Sequence, residues 1–162
     1  DRRHLAGIDF ETTLGDFGLR GEFAYISKKS FLTNELESIS KPVIAYVLGV
    51  DYNGPRSFYA NLQFSQTLVL DYDDRILFSD KWNNVINGKV TKGILDDNVE
   101  LSFRYLYGIT HGDYYYNPAV VLKFWQNVSL EVGAEFVDGP EDTLLGVFQD
   151  NDELYGVLQW YF

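Results

Sequence analysis

Residues 99–109 read Val-Glu-Leu-Ser-Phe-Arg-Tyr-Leu-Tyr-Gly-Ile, and this stretch decides the fold class. Every second residue, from Val99 through Phe103 to Ile109, is apolar or aromatic, whereas Glu100 and Arg104 stand between them. Successive side chains of a β-strand point to opposite faces of a sheet. The stretch therefore predicts a strand with one apolar face and one mostly polar face.

The same alternation recurs along the whole chain. Nine segments show it, at residues 5–13, 17–27, 42–52, 57–70, 86–95, 99–110, 117–125, 128–137 and 153–162. The segment 86–95 is the weakest, because Lys92 falls on the same face as Ile86 and Val90. No stretch keeps helical spacing over three turns. The sequence therefore predicts one all-β domain over residues 1–162, built as an antiparallel meander.

The connections between these segments alternate in length. They are short at residues 14–16, 53–56, 96–98 and 126–127, and longer at 28–41, 71–85, 111–116 and 138–152. Asn53-Gly54 is a strong signal for a tight hairpin turn. In a meander, alternate connections lie at the same end of the sheet. Short turns at one end and longer loops at the other are typical of outer-membrane barrels.

Composition excludes several classes of protein. The chain has 12 Tyr, 12 Phe and 3 Trp among its 162 residues, no Cys, and a net charge of −11. The absence of Cys excludes disulfide frameworks and thiolate metal sites, and the negative charge argues against a nucleic-acid partner. The longest apolar run, residues 43–50, is too short for a membrane helix. No secretory leader is visible at Asp1, which indicates a mature chain or a piece of a longer one.

Period two alone does not tell whether the apolar face points inward, as in a soluble lipocalin-like barrel, or outward, as in a membrane barrel. Segments of about ten residues suit a tilted membrane strand. Aromatic residues gather near segment ends, where they suit membrane interfaces: Tyr25, Tyr52, Phe58, Tyr107, Phe124, Trp125, Phe136, Trp160 and Tyr161. The polar face carries charges of both signs, which we predict to face the lumen: Asp9, Glu11, Arg20, Glu22, Asp51, Lys89, Glu100, Arg104, Lys123, Glu131 and Glu135.

The last segment ends in an aromatic residue with apolar residues at alternate preceding positions. Leu158, Trp160 and Phe162 carry this pattern. It resembles the C-terminal signature of Gram-negative outer-membrane β-barrels, which the barrel-assembly machinery reads, and residues 128–162 are similar to the closing strands of porin-like channels. The resemblance implies an outer-membrane location, a periplasmic C-terminus, and contact with outer-membrane lipids and lipopolysaccharide.

Nine strands are an odd number, whereas bacterial barrels of this kind usually have an even one. Three explanations are open. The chain is the C-terminal part of a larger barrel, or one segment does not span and the barrel has eight strands, or residues 144–148 add a strand. We favour the first, in which the domain is incomplete at its N-terminal side.

Candidate chemistry is sparse. His111 and Asp113 lie in one predicted loop, but no nucleophile accompanies them, so a solvated histidine is the preferred interpretation and no catalytic residue is assigned. Acidic clusters occur in the longer connections, at residues 71–74, 141–142 and 150–153. They lack the spacing of a calcium loop and are best explained as solubilising charge. The sequence predicts no metal, no cofactor and no enzymatic activity.

The lumenal charges are the best functional candidates. Seven acids against four bases would favour cations in a pore, because like charges lining a channel set its selectivity. The sequence thus predicts a channel for passive diffusion of small polar solutes. Two alternatives remain: an eight-stranded structural or adhesion barrel whose lumen is plugged by paired charges, and a soluble lipocalin-like binding barrel.

Overall fold

The computed structural model describes residues 2–125 and 127–162, and of Trp125 it describes only the backbone. Nine strands follow one another along the chain: β1 (Leu5–Leu14), β2 (Phe17–Leu32), β3 (Ser38–Gly54), β4 (Phe58–Val69), β5 (Trp82–Ile94), β6 (Val99–Gly108), β7 (Tyr114–Trp125), β8 (Val128–Asp138) and β9 (Glu153–Trp160). Each pairs antiparallel with its neighbours in chain order, in a single sheet. The predicted all-β class and the nine up-and-down strands are confirmed.

The register sorts the side chains into two faces. One row of directly opposite residues runs Asp51–Asn61–Lys89–Arg104–Asn117 across β3 to β7. The side of the sheet that carries this row is called the polar face. The other side, the apolar face, carries large apolar residues on every strand, among them Ile8, Phe23, Leu48, Leu62, Val90, Phe103, Val120, Val132 and Leu158.

Lys92, which weakened the pattern in the fifth segment, does lie on the apolar face, directly opposite Phe58 and Leu101. It stands near the end of β5, and its Nζ donates a hydrogen bond to the carbonyl oxygen of Arg56 in the adjacent turn. A long side chain can thus cover apolar surface while its charged end meets a polar group. The break in the pattern marks a strand end.

Some boundaries differ from the predicted ones. β2 and β3 extend to Leu32 and from Ser38, so their connection spans only residues 33–37. Gly54 belongs to β3 and pairs with Phe58, which places the turn at residues 55–57. A side chain at Gly54 would collide with the rings of Tyr52 and Phe58, whose centroids are 6.0 Å apart. Residues 144–148 add no strand, because Gly146–Phe148 forms a 3-10 helix.

The sheet is open. Within the described residues, β1 pairs only with β2 and β9 only with β8, so both leave a row of backbone groups unpaired. Because each strand runs antiparallel to the next, β1 and β9 run in the same direction. They could not close this sheet on itself with antiparallel pairing.

Buried apolar side chains are few among the described residues, and all but Ala119 lie at one end of the polar face. Phe31, Val43, Val69 and Ile76 form the cluster, with Ile39 and Tyr72 packed beside it. Ile76 comes from the connection between β4 and β5, and its bridge to Thr33 ties this connection to the one between β2 and β3. The longer connections thus fold over the polar face and not over the apolar one.

The molecule exposes more surface than a self-contained domain of its mass. Its accessible surface is 10813 Å², whereas a folded monomer of 18.6 kDa exposes about 8,200 Å². Much of the excess is apolar, since Ile8, Phe10, Leu48 and Val132 are each half exposed or more. The apolar face has no covering layer among the described residues.

Candidate functional site

All eleven predicted lumenal charges lie on the polar face. Directly opposite residues share a face, and the pairs Asp9–Glu22, Glu11–Arg20 and Lys89–Arg104 belong to it. The other five follow by alternation along their strands: Asp51, Glu100, Lys123, Glu131 and Glu135.

Asp51 is the centre of the densest polar cluster. Arg20 donates from Nη2 to both carboxylate oxygens, at 2.7 and 2.6 Å. The Tyr59 hydroxyl and the Asn61 amide each donate to Oδ1 at 2.6 Å. Because β2, β3 and β4 are adjacent, alternation places all four side chains on one face. Charge-assisted hydrogen bonds of this length fix the orientation of the carboxylate.

Lys89 and Arg104 are two cations directly opposite each other on β5 and β6. Like charges in this position repel. Arg104 lies 3.9 Å from Glu131, whereas Lys89 has no ion pair or hydrogen bond within the part of the chain that the structure describes. The centre of the polar face therefore carries an unneutralised positive charge.

A second hydrogen-bonded group lies on β7, β8 and β9. The Tyr155 hydroxyl donates to Glu131 at 2.9 Å and accepts from the Asn117 amide at 3.0 Å. The Tyr115 hydroxyl donates to Glu135 at 2.8 Å. Tyrosines thus hold two of the predicted acids in place. Tyr115 and Tyr155 were not among the predicted site residues, although the alternation places both on the polar face.

The remaining charges leave the polar face acidic. Lys123 lies 3.6 Å from Glu100. Glu153, which was not among the predicted residues, stands directly opposite Glu135. Asp9 and Glu22 are also opposite each other. Neither member of that second pair has a cationic partner among the described residues. The face carries positive charge at its centre and a surplus of acids near both edges.

The C-terminal pattern lies on the opposite side of the sheet. Leu158 pairs with Leu130 and Trp160 with Val128 on the apolar face. Phe162 follows the end of β9 and is fully exposed, with its ring 6.3 Å from that of Trp160. The three signature side chains therefore form an accessible apolar group along the free edge of the sheet.

Aromatic rings cluster on the apolar face. Phe17, Tyr52 and Phe58 form one group beside the short turns, in which the Phe17 and Tyr52 rings stack with centroids 4.8 Å apart and the Phe58 ring is tilted against Tyr52. A second group joins Phe103 and Tyr105 to Tyr116 and Tyr114 on the neighbouring strand. The side chain of Trp125, another aromatic residue of the predicted interfaces, lies outside the described part of the chain.

The connection between β4 and β5 holds a surface ion-pair group. Arg75 donates to Asp73 at 3.1 and 2.9 Å and to Glu35 at 3.0 Å. The hydrogen bonds from the Arg75 side chain and backbone lower the pKa of Asp73 to about 2. Burial, together with the nearby aspartates, raises the pKa of Tyr72 above its usual value. Arg75 thus stabilises this acidic segment through its hydrogen bonds to Asp73 and Glu35.

His111 is partly buried, and not a freely solvated loop residue. Its Nε2 lies 3.0 Å from the amide oxygen of Asn83, and its Nδ1 lies 3.9 Å from Asp80. In the described structure no hydroxyl nucleophile is hydrogen-bonded to the ring. That the protein is not an enzyme stays a prediction. Within residues 2–125 and 127–162, no group of His, Asp and Glu side chains is arranged to hold a metal ion.

A cavity of about 260 Å³ lies where the longer connections meet the polar face. The strands contribute Lys29, Thr67, Asn83, Val85 and Leu106 to its lining. We call it the loop-end cavity; the connections contribute Phe78, Ser79, His111, Asp113, Leu144 and Leu145. The sequence pattern does not predict this cavity, because six of its lining residues come from three connections that have no periodic pattern.

No family model, curated protein or solved structure matches this chain. Among the residues that the structure describes, none of the helices has the length and apolar character to cross a membrane.

Proposed function

We propose that this sheet is part of the wall of an outer-membrane β-barrel whose pore lets small polar solutes diffuse passively. One observation carries the proposal. Over nine consecutive strands, one face is apolar and uncovered while the other is charged and hydrogen-bonded. A membrane barrel needs this division, with lipid on the outside and a polar interior.

Exposure of the apolar face favours lipid over water as its surroundings. Monomeric soluble proteins rarely expose continuous apolar patches larger than a few hundred Å². Here Ile8, Phe10 and Leu158 are 72%, 57% and 70% exposed on one side of a single sheet. Hydrocarbon around these side chains would remove the cost of their hydration.

The position of the longer connections distinguishes this proposal from a soluble lipocalin-like barrel. A soluble barrel would turn its apolar face inward. In this chain the connections bring Ile76 and Leu145 to the polar face, and they leave the apolar face clear. Loops that fold over one mouth of a barrel cover its interior, so the polar face is the interior in this proposal.

Strand length fits a membrane span. A tilted strand needs about 9–11 residues to cross the hydrocarbon layer. β1 and β6 have 10 residues, β8 has 11, β4 and β7 have 12 and β5 has 13, whereas β9 is shorter with 8. β2 and β3, with 16 and 17, would project beyond the membrane on the side of the longer connections.

The two free edges set a requirement on the complete barrel. Backbone N–H and C=O groups are not left unpaired in hydrocarbon. Because β1 and β9 run in the same direction, an antiparallel barrel that contains this sheet needs an odd number of further strands. Barrels of about 16–18 strands leave an aqueous channel, whereas barrels of about eight are filled by their own side chains. The proposed pore is therefore a larger barrel.

The polar face indicates the preferred charge of the solutes. Acids outnumber bases on it, and Asp9 and Glu22 lack cationic partners among the described residues. Rings of acidic side chains favour cations in a pore. The pore is proposed to prefer cations, with outer-membrane lipids and lipopolysaccharide around it, a periplasmic C-terminus, and assembly through the terminal Leu158–Phe162 pattern.

Planar-bilayer recording tests this proposal. The protein, extracted from membranes in detergent, is expected to insert and to give ion currents in KCl whose reversal potential shows cation preference. Glu22→Gln removes one unpaired acid and is expected to weaken that preference, whereas Glu141→Gln in an exposed connection is the matched control. Insertion without current would overturn the channel and support a plugged structural barrel. Extraction without detergent would overturn the membrane location.

A further inference from the structure

The loop-end cavity has the composition of a small-molecule site. Val85 and Leu106 lie on neighbouring strands on the polar face, where most positions are polar. Leu144 and Leu145, from the connection before β9, complete an apolar lining around the same space. Ligand sites are typically concave and mainly apolar, with a few converging polar groups. The loop-end cavity thus combines apolar side chains with polar groups such as Asp113.

Asp113 is the buried charge of this cavity. It is only 6% exposed. Its carboxylate accepts one hydrogen bond, from the backbone N–H of Leu145 at 3.4 Å, and has no cationic partner in the described part of the chain. A side chain at Gly108 would place its Cβ 1.9 Å from Asp113 Oδ1, so the absence of one makes room for the carboxylate. A buried carboxylate without a cationic partner is costly, and a bound cation would reduce that cost.

The other charged residues of the cavity do not neutralise Asp113. His111 is engaged with Asn83 through Nε2, and its Nδ1 faces Asp80. Lys29 holds its Nζ 5.4 Å above the ring of Phe31. Both residues line the cavity without forming an ion pair with Asp113. The position beside the carboxylate is therefore left for a cation supplied from outside.

Phe78 adds a third observation. Its φ is +57°, in the left-handed region that bulky side chains rarely adopt. Such backbone strain is concentrated at functional sites and ligand clamps. The strained residue lines the cavity and is 43% exposed.

We propose that the loop-end cavity binds a small organic amine. The ammonium group pairs with Asp113, and an apolar body of about one aromatic ring packs against Val85, Leu106 and Leu144. The net charge of −11 attracts cations to the protein before they bind. The inference rests on the proposed function only in placing the cavity at the mouth of a pore, where it would select amines among the solutes that enter.

Isothermal titration of the detergent-solubilised protein tests this site. Three probes of similar size are compared: phenethylamine, 2-phenylethanol and 3-phenylpropionate. We expect saturable binding of the amine, binding of the alcohol about 30-fold weaker, and no binding of the carboxylate. Equal binding of all three probes, or no binding of the amine, would overturn the proposal.

Two variants assign the binding to the cavity. Asp113→Asn keeps the size of the side chain and an acceptor for Leu145, and is expected to weaken amine binding about 30-fold. Asp142→Asn is the matched control, because it removes the same charge from an exposed position of the chain. If Asp113→Asn does not fold, Leu144→Trp fills the cavity from a side chain that is 61% exposed and is expected to abolish binding. Unchanged affinity in the folded variants refutes the site.

Binding and conduction are measured separately, so the two proposals fail separately. If the protein conducts ions but does not distinguish the three probes, the result supports the pore and refutes the amine site. If the protein binds the amine through Asp113 but carries no current, the result supports the amine site and refutes the pore.

Discussion

An arginine on the apolar face provides the sharpest test of which side meets lipid. Val132 lies on β8 opposite Val120 and Gly156, and its side chain is 50% exposed. If lipid covers this face, Val132→Arg places a charge in hydrocarbon. If water covers it, the substitution changes an exposed position and costs little.

The magnitude follows from the depth of the residue. β8 spans 11 residues, Val128–Asp138, with Gly133 at its midpoint. With about 3.3 Å per residue and a tilt of about 40°, each residue crosses about 2.5 Å of the membrane. Val132 then lies about 2.5 Å from the midplane and Leu130 about 7.5 Å from it. Arginine costs about 2–4 kcal/mol at the midplane and about 0–1 kcal/mol near the interfaces. Val132→Arg is therefore expected to cost about 2–4 kcal/mol of stability, and Leu130→Arg is expected to cost less than Val132→Arg.

The assay is reversible urea unfolding of the protein in lipid vesicles, followed by tryptophan fluorescence. Ser129→Arg is the control, because Ser129 neighbours Leu130 but lies on the polar face opposite Lys123 and Gln159. The reasoning predicts the order Val132→Arg, Leu130→Arg, Ser129→Arg from largest to smallest loss of stability. A neutral Val132→Arg with a destabilising Ser129→Arg would reverse the assignment of the faces.

Three further predictions concern the C-terminus, the polar face and the connections. Deletion of Phe162 is expected to reduce the amount of assembled protein in outer membranes, measured by heat-modifiable gel mobility, whereas Phe162→Trp keeps an aromatic end and should assemble normally. Lys89→Glu is expected to raise cation preference in reversal-potential measurements; Lys92→Glu makes the same charge change on the apolar face of the same strand, and an equal effect would contradict the face assignment. The pKa of Asp73 is lowered to about 2, so its interaction with Arg75 stabilises the connection above about pH 4 and is lost as the pH falls towards 2; carboxyl NMR titration that gives an ordinary pKa for Asp73 would contradict the ion pair.

The strands and their faces could be predicted from sequence because period two is a local property. The eleven residues 99–109 predict both a strand and the face on which each side chain lies, and the structure has β6 at Val99–Gly108. Where the pattern weakened, at Lys92, the cause is a strand end whose lysine reaches the neighbouring turn. The eleven charges share a face for the same reason, since alternation fixes the side on which each residue lies.

The partners of those charges could not be predicted. Arg20 and Asp51 are 31 residues apart and meet because of the register between β2 and β3, which alternation does not specify. The loop-end cavity was missed for a stronger reason. Asp113 and Leu145 come from connections without periodicity, and only the folded structure brings them together. The alternation therefore predicts the strands of the sheet, but it does not predict how the connections fold over the polar face.

The short turns have a consequence for inserting foreign sequence. Arg56 and Ser57 have φ values of 55° and 53°, and Asp97 in the next short turn has 63°. The Ser57 hydroxyl donates to Asp97 at 2.8 Å, and Gly93 donates its N–H to the Ser57 carbonyl at 3.0 Å. Each turn thus holds an unfavourable backbone conformation with help from its neighbour. A peptide tag inserted into one turn would break these hydrogen bonds and destabilise both turns. The stretch around Glu141 and Asp142 is exposed and is expected to accept a tag. Labels and epitopes are therefore best placed on the side of the longer connections.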